Sequence, residues 1–411
     1  MADETTRLQT APWLVVLLGF LALALAYSAR AALGLMMMTW VTDLGWSRSF
    51  ISATAAAALA VMACIAPLGG RLVDLHGPRN VLAVGLMAVA AGCFVISATS
   101  SQVVFMLAFA LLAAIGFGLV ATHVVATAVE QRFARHQGLA MGIATSGSTG
   151  GQFVVVPLLA YLLADTSWRW SFLLLGLACL GFSLGVLRLL PAARRIHPKR
   201  APTPKPSASL AHDVAFIVKR PAFHILLWSY VLCGYTTTGV VETHFLPYAS
   251  FCGFAPLPAA TAFGLLSAVN LAGMILAGWL TDRMNRPLLL GGIYVIRGLA
   301  FILLVGVARD IDTLFLFAVI FGLVDYSTQP VTASLAASHI GSRVMGLSLG
   351  LILAGHSAGA AIGAYLGGRL FDIYARYEWV WLSSVGLSIL AGALVLMLSP
   401  RANRQEPGIA T

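Results

Sequence analysis

Charge is what this sequence has least of. Asp, Glu, Lys and Arg make up 10% of its 411 residues, while apolar residues reach 59% and mean hydropathy is +0.90. Soluble domains carry roughly 25% charged residues, so an ordinary water-facing surface is excluded. A single soluble core also stops growing near ~250–300 residues, which leaves lipid as the solvent for this much apolar chain. Cysteine is sparse too. Cys64, Cys93, Cys179, Cys233 and Cys252 show no C-x-x-C or Cys/His spacing, so no metal site is expected and they read as small packing residues. No P-loop, nucleophile–base motif or filter-like run is present, which argues against an ATP-driven pump, an enzyme and a channel, and no cofactor is expected. The N-terminus carries two acids and no short apolar core with a cleavage site, so no secretory signal is expected.

Acids are scarcer than bases, 15 against 25, giving a formal charge of +10. The bases lie in short connections rather than on one basic domain, so they read as topology signals and not as a nucleic-acid surface. Apolar runs of the ~20 residues that cross a bilayer fall at 12–38, 48–70, 80–98, 103–127, 138–163 and 170–190. A second set falls at 223–248, 258–280, 288–308, 312–335, 344–368 and 379–398. This predicts an all-α membrane protein of twelve transmembrane helices. Its parts are an N-terminal six-helix half (1–190), a Pro/Lys/Arg/Ser-rich linker (191–220), a C-terminal six-helix half (221–398) and a tail (399–411). Of the 25 Lys and Arg, 18 fall on the side of the termini and linker. Five (Arg48, Arg169, Arg309, Arg369, Arg376) fall on the other side, and Arg30 and Arg297 lie within spans. The positive-inside rule makes both termini and the linker cytoplasmic.

The halves repeat one another. Gly70-Arg71-Leu72-Val73-Asp74 returns as Gly278-Trp279-Leu280-Thr281-Asp282, and Gly138-Leu139-Ala140-Met141-Gly142 as Gly346-Leu347-Ser348-Leu349-Gly350, both displaced by 208 residues. Phe117-Gly118-Leu119-Val120 returns at Phe321 to Val324, displaced by 204. A duplicated six-span unit with its substrate site near midplane between the halves is a known transporter architecture.

These residues resemble the major facilitator superfamily throughout the chain. Its loop signature, G-x-L-a-D-r-x-G-r-k, is matched by Gly70, Leu72, Asp74, Gly77 and Arg79. The second copy keeps Gly278, Asp282, Arg283 and Arg286 but has Asn285 where the second glycine belongs, which predicts a weaker turn. Asp43-Leu44-Gly45-Trp46-Ser47-Arg48 is similar to the acid-glycine-tryptophan stretch of the monocarboxylate transporter and oxalate/formate exchanger branch, especially its bacterial members. Thr243-His244-Phe245-Leu246-Pro247-Tyr248 and Gly355-His356-Ser357-Ala358-Gly359-Ala360 resemble it more weakly. Where members of that branch resemble one another in a span-eight arginine, this chain has Leu271-Ala272-Gly273-Met274-Ile275. The resemblance implies a secondary transporter, a symporter, in a bacterial inner membrane. It would move a small organic solute, a carboxylate foremost, by alternating access together with a proton or counter-solute. An importer of an aromatic nutrient such as a flavin, or an exporter of amphipathic compounds, is the alternative.

A charged side chain at a helix centre costs ~2.5–3.5 kcal/mol on insertion scales, so each needs a partner or a task. Arg30 is the candidate carboxylate anchor, because a guanidinium matches that group bidentately, or else the partner of Glu242. Glu242 and His244 in span seven are candidates for the substrate site and for the coupling proton. His356 in span eleven is a weaker candidate for the site and His123 in span four weaker still, since a lone histidine among small residues is usually a packing residue. Arg297 and Asp325 are expected to form a buried ion pair. Asp74 is expected to meet the first turn of span eleven, and Asp282 that of span five, as contacts that hold the cytoplasmic side closed. Glycines along spans five and eleven permit close sliding packing.

Overall fold

The computed structural model describes residues 2–133, 135–190, 209–305 and 310–399. The linker before Ser209, Arg309 and the tail after Ser399 lie outside the described residues. Helices of spanning length and apolarity occupy Pro12–Met37 within Ala2–Leu44 (span 1), Arg48–His76 (span 2), Pro78–Ala98 (span 3), Gln102–Glu130 (span 4) and Trp168–Leu189 (span 6). Gln137–Thr145 and Gly147–Asp165 meet at Ser146 as span 5. The second half continues with Pro221–Phe251 (span 7), Pro256–Thr281 (span 8), Arg286–Val305 (span 9), Ile311–His339 (span 10), Met345–Tyr374 (span 11) and Glu378–Leu396 (span 12). Among the described residues the linker is helical over Leu210–Val218, and the chain bends by 85° between this linker helix and span 7.

Several spans run past the ends set by apolarity, because a helix continues into the headgroup region as long as its carbonyls find donors. Span 2 extends to His76, so Gly70 to Asp74 are helical and the connection to span 3 is Gly77 alone, at φ 78°, ψ 162°. The signature thus lies at the end of span 2 and not in a loop. The second copy turns over Asp282–Asn285 with no positive φ, so the missing glycine there weakens nothing. Asp43 to Arg48 make the corner between spans 1 and 2. Gly45 has φ 65°, Ser47 caps span 2 by accepting from Phe50 N at 3.1 Å, and Trp46 is buried against Trp40 and Phe105.

The halves touch at the end of the bundle that bears the linker. One apolar core crosses both halves there, joining Val124, Val125 and Ala140 to Val331, Val344 and Leu347. At the far end the C-terminal half keeps a separate core, built around Phe301, Phe317, Phe321 and Trp381, that among the described residues contains none of the N-terminal half. Small residues make the linker-end contact possible. A Cβ on Gly70 would lie 1.9 Å from the Gly346 carbonyl oxygen, and one on Gly278 would lie 2.4 Å from that of Gly138.

Candidate functional site

Two spans are broken at equivalent depth. Span 4 leaves helical geometry at Val120–Ala121 and resumes at Thr122, while span 10 ends its first segment at Val324 and resumes at Thr328. Broken helices free main-chain groups that must be satisfied internally in lipid, and transporters tolerate them where they line a site. Here the residues just past the two breaks, Thr122 and His123 on one side and Gln329 and Thr332 on the other, line one cavity of about 30 Å³ between the halves, closed by Thr145 and Tyr230. That is room for a water or one small polar group. Among the described residues Oε1 of Gln329 and Oγ1 of Thr332 are buried without a hydrogen-bond partner, and the buried His123 ring has only the Ala66 carbonyl within reach. Orphaned polar groups are costly in an interior, so this cavity is built for something that hydrogen-bonds.

Arg30 reaches this region from span 1. It is half-buried, its guanidinium lies 4.6 Å from the Tyr27 ring centroid, and it has no hydrogen bond or ion pair among the described residues. Tyr27, one turn deeper, is half-buried, touches Thr122 and lies within electrostatic reach of both Arg30 and Glu242. Glu242 is exposed in the gap between the halves and does not pair with Arg30. It accepts hydrogen bonds from the Tyr326 hydroxyl at 2.5 Å and from Thr238 Oγ1 at 3.3 Å. Tyr326 belongs to the break in span 10, and its N–H donates to Asn270 Oδ1 at 3.2 Å.

Arg297 and Asp325 adjoin, though not as two side chains. The Arg297 guanidinium donates to the carbonyls of Val324 (2.8 Å) and Asp325 and to Cys233 Sγ (2.9 Å), capping the break in span 10. The Asp325 carboxylate receives only Asn270 Nδ2, at 3.4 Å, and its other oxygen is unpartnered. Helix ends leave orphan carbonyls, and the arginine is spent on these, so the expected carboxylate–guanidinium contact is absent. His356 is buried, with Nε2 3.3 Å from Thr237 Oγ1 and its ring centroid 4.9 Å from that of Tyr230 at a tilt of 46°. His244 does not face water. It is buried against span 11, with Nε2 3.1 Å from the Ala364 carbonyl, in the space left by Gly367.

The linker end carries the loop signatures. Asp74 accepts from the N–H groups of Gly346 and Leu347, both at 2.9 Å, and Asp282 accepts from those of Gly138 (2.8 Å) and Leu139 (2.9 Å). Each carboxylate thus sits at the positive end of a helix in the opposite half. Gly77 forms the turn, Arg79 Nε is buried without a partner, and Arg286 reaches the Thr281 carbonyl at 3.4 Å.

Weighing charged residues alone missed Tyr27, Tyr326, Gln329 and Thr332. Their signal was available as neutral polar side chains inside apolar runs.

Comparison with known proteins agrees with this architecture. The model of the Major Facilitator Superfamily matches residues 19–353. Monocarboxylate transporter 13 of Rattus norvegicus is 28% identical over 398 residues, covering 94% of this chain and 89% of its own. The MFS-type transporter YcxA of Bacillus subtilis (strain 168) is 24% identical over 401 residues, covering 96% of both. The human organic anion transporter MFSD10 (TETRAN) shares the fold with a TM-score of 0.74 at 17% identity, over 94% of this chain and 99% of that one. A family model spanning most of the chain, on twelve helices in two repeated halves, is decisive: the chain belongs to the major facilitator superfamily and is a monocarboxylate-transporter-like secondary transporter of the membrane.

Proposed function

We propose that this transporter moves a small carboxylate together with a proton, by alternating access, across a bacterial inner membrane in which both termini and the linker are cytoplasmic. The observation that carries the reading is Arg30, a guanidinium within a span, with an aromatic ring beneath it and, among the described residues, no acid against it. An intramembrane cation without a partner is expected to have a ligand, and a carboxylate is the anion its fork matches. The relatives named for monocarboxylates and organic anions support the same charge. With the linker end closed and the far end parted, the conformation faces outward, so Arg30 and Glu242 meet solute from that side. A proton on Glu242 removes the competing negative charge from the neighbourhood of Arg30, which couples the two ligands. His123, Gln329 and Thr332 take up the solute's polar end as the far side closes.

The test is purified protein in proteoliposomes, given a panel of carboxylates and aromatic vitamins with and without a pH gradient. Arg30→Gln is expected to abolish carboxylate uptake and Arg30→Lys to weaken it, while Glu242→Gln keeps binding but loses its dependence on pH. Unchanged affinity in Arg30→Gln would transfer the assignment to the aromatic nutrient, for which the rings of Tyr27 and Tyr326 are the available surface.

A further inference from the structure

The geometry points to the linker helix as a strap across one seam between the halves: Asp213 ties Arg71 of the N-terminal half to Arg343 of the C-terminal half and so holds the linker end closed. Asp213 is completely buried. Its Oδ2 accepts from Arg71 Nη1 at 2.8 Å and its Oδ1 from Arg343 Nη2 at 3.4 Å. Arg71 lies one turn before Asp74 on span 2, and Arg343 lies just before Gly346 and Leu347, the residues that Asp74 holds. Two spans are therefore joined twice, once through main-chain N–H groups and once through this ion triad.

The helix is shaped for the task. Ser209 caps it, accepting from His212 N at 3.4 Å, and Ile217, one turn after Asp213, is buried on the same face. Phe216 lies under the guanidinium groups of Arg343 and Arg220, each at 4.7 Å from its centroid. Through the short bend into span 7 the helix is tethered to the C-terminal half, the half that also holds Arg343. When the halves rock apart at this end, Arg71 is the partner that leaves. His212 Nδ1 also lies 3.8 Å from Asp213 Oδ1. Without the carboxylate, Arg71 and Arg343 lose the acid that joins them across the seam; a buried ion cluster is damaged most by deletion of one member.

This inference rests on alternating access and not on the identity of the solute. The full-length protein carries spin labels at His76→Cys and Met284→Cys, with Cys64 and Cys252 replaced by Ser, and the linker-end distance is read by double electron–electron resonance. Asp213→Asn is expected to raise the population with a long distance at least fivefold, Asp213→Glu to restore the closed distribution, and Asp213→Asn with Arg343→Gln to recover part of it by removing one cation. If Asp213→Asn does not fold, Arg71→Gln breaks one arm and is expected to lengthen the distance in the same direction. A distribution unmoved by both Asp213→Asn and Arg71→Gln, in protein where Asp74→Asn does move it, overturns the strap. No movement in any variant overturns alternating access, and the strap with it.

Discussion

The two halves carry the same locking parts and use them differently. Each offers an aspartate to a helix start in the other, over a glycine contact, with bond lengths that agree within 0.1 Å. Around the Asp74 seam there is also the Arg71–Asp213–Arg343 layer. Around the Asp282 seam the counterpart of Arg71 is Trp279, which stacks under Arg283 at 4.0 Å, and among the described residues no acid bridges that seam in the same way. A second difference lies at the helix breaks. Arg297 caps the one in span 10, whereas its counterpart 208 residues earlier, Val89, packs against Gly116 beside the one in span 4. Duplication preserved what closes the molecule, and divergence supplied charge to one copy of each feature.

The glycine contacts are the most drastic way to break the likeness. Gly70→Ala and Gly278→Ala place a Cβ on a carbonyl of the opposite half, and overpacking of this kind costs ~1–3 kcal/mol, or about 5- to 150-fold in a two-state equilibrium. Transport in proteoliposomes is expected to fall by about a hundredfold in Gly70→Ala, whose clash is the closer, and less in Gly278→Ala. Gly264→Ala, with nothing within 4 Å, is the control. Near-normal transport in Gly70→Ala would show that the closed seam is not needed.

Arg297→Val makes the two halves alike at their breaks. It leaves the carbonyls of Val324 and Asp325 without a donor, at ~1–3 kcal/mol for each buried unsatisfied group, and the melting temperature is expected to drop by several degrees. Asp325→Asn keeps the carbonyl that Arg297 uses and removes no donor from it, so it is expected to lower the melting temperature less than Arg297→Val does. Equal losses in the two variants would reinstate a side-chain ion pair.

The third comparison sets Asp74→Asn against Asp282→Asn. Each removes a charged acceptor from two N–H groups, about 2 kcal/mol by the usual value for such bonds. If the halves rock as rigid bodies, both seams open together and the two variants shift the equilibrium equally. A much larger effect of Asp282→Asn, where no ion triad backs the aspartate, would mean the seams open separately.

The spans, their duplication and the charged residues within them were legible because a bilayer demands long apolar runs and penalises charge. The breaks were not. Val120–Ala121 and Asp325–Ser327 contain no Gly or Pro, and what sustains the second is Arg297, a residue from another helix. The same reason hid the true contact of Asp325, since spacing shows that two residues are near but not which of their atoms meet. The packing of His244 was hidden too, because nothing local reveals that Gly367 of span 11 leaves room for its ring. Asp213 sat in a stretch whose composition reads as linker, and its burial depends on arginines 142 and 130 residues away. Neutral polar residues such as Gln329 and Thr332 carry little weight in a hydropathy reading, yet they line the cavity.

The smallest expected effect concerns the position where the two loop signatures differ, Gly77 and Asn285. Gly77 has φ 78° with ψ 162°, a region essentially confined to glycine, and it is the whole connection between spans 2 and 3, so the strain cannot be shared with neighbours. Gly77→Ala is expected to cost about 1 kcal/mol, the low end for such a position, seen as a modest fall in melting temperature with the Asp74 contact retained. At Asn285 the turn is four residues long, φ is not positive, and Oδ1 accepts from Leu288 N at 3.4 Å as span 9 begins. Restoring the signature with Asn285→Gly therefore relieves no strain and removes a weak cap, so stability should stay within a few tenths of a kcal/mol, which is the usual cost of glycine in place of a capping residue. A gain of 1 kcal/mol or more in Asn285→Gly would mean that the second turn does need glycine and that the two connections are closer in conformation than their lengths imply.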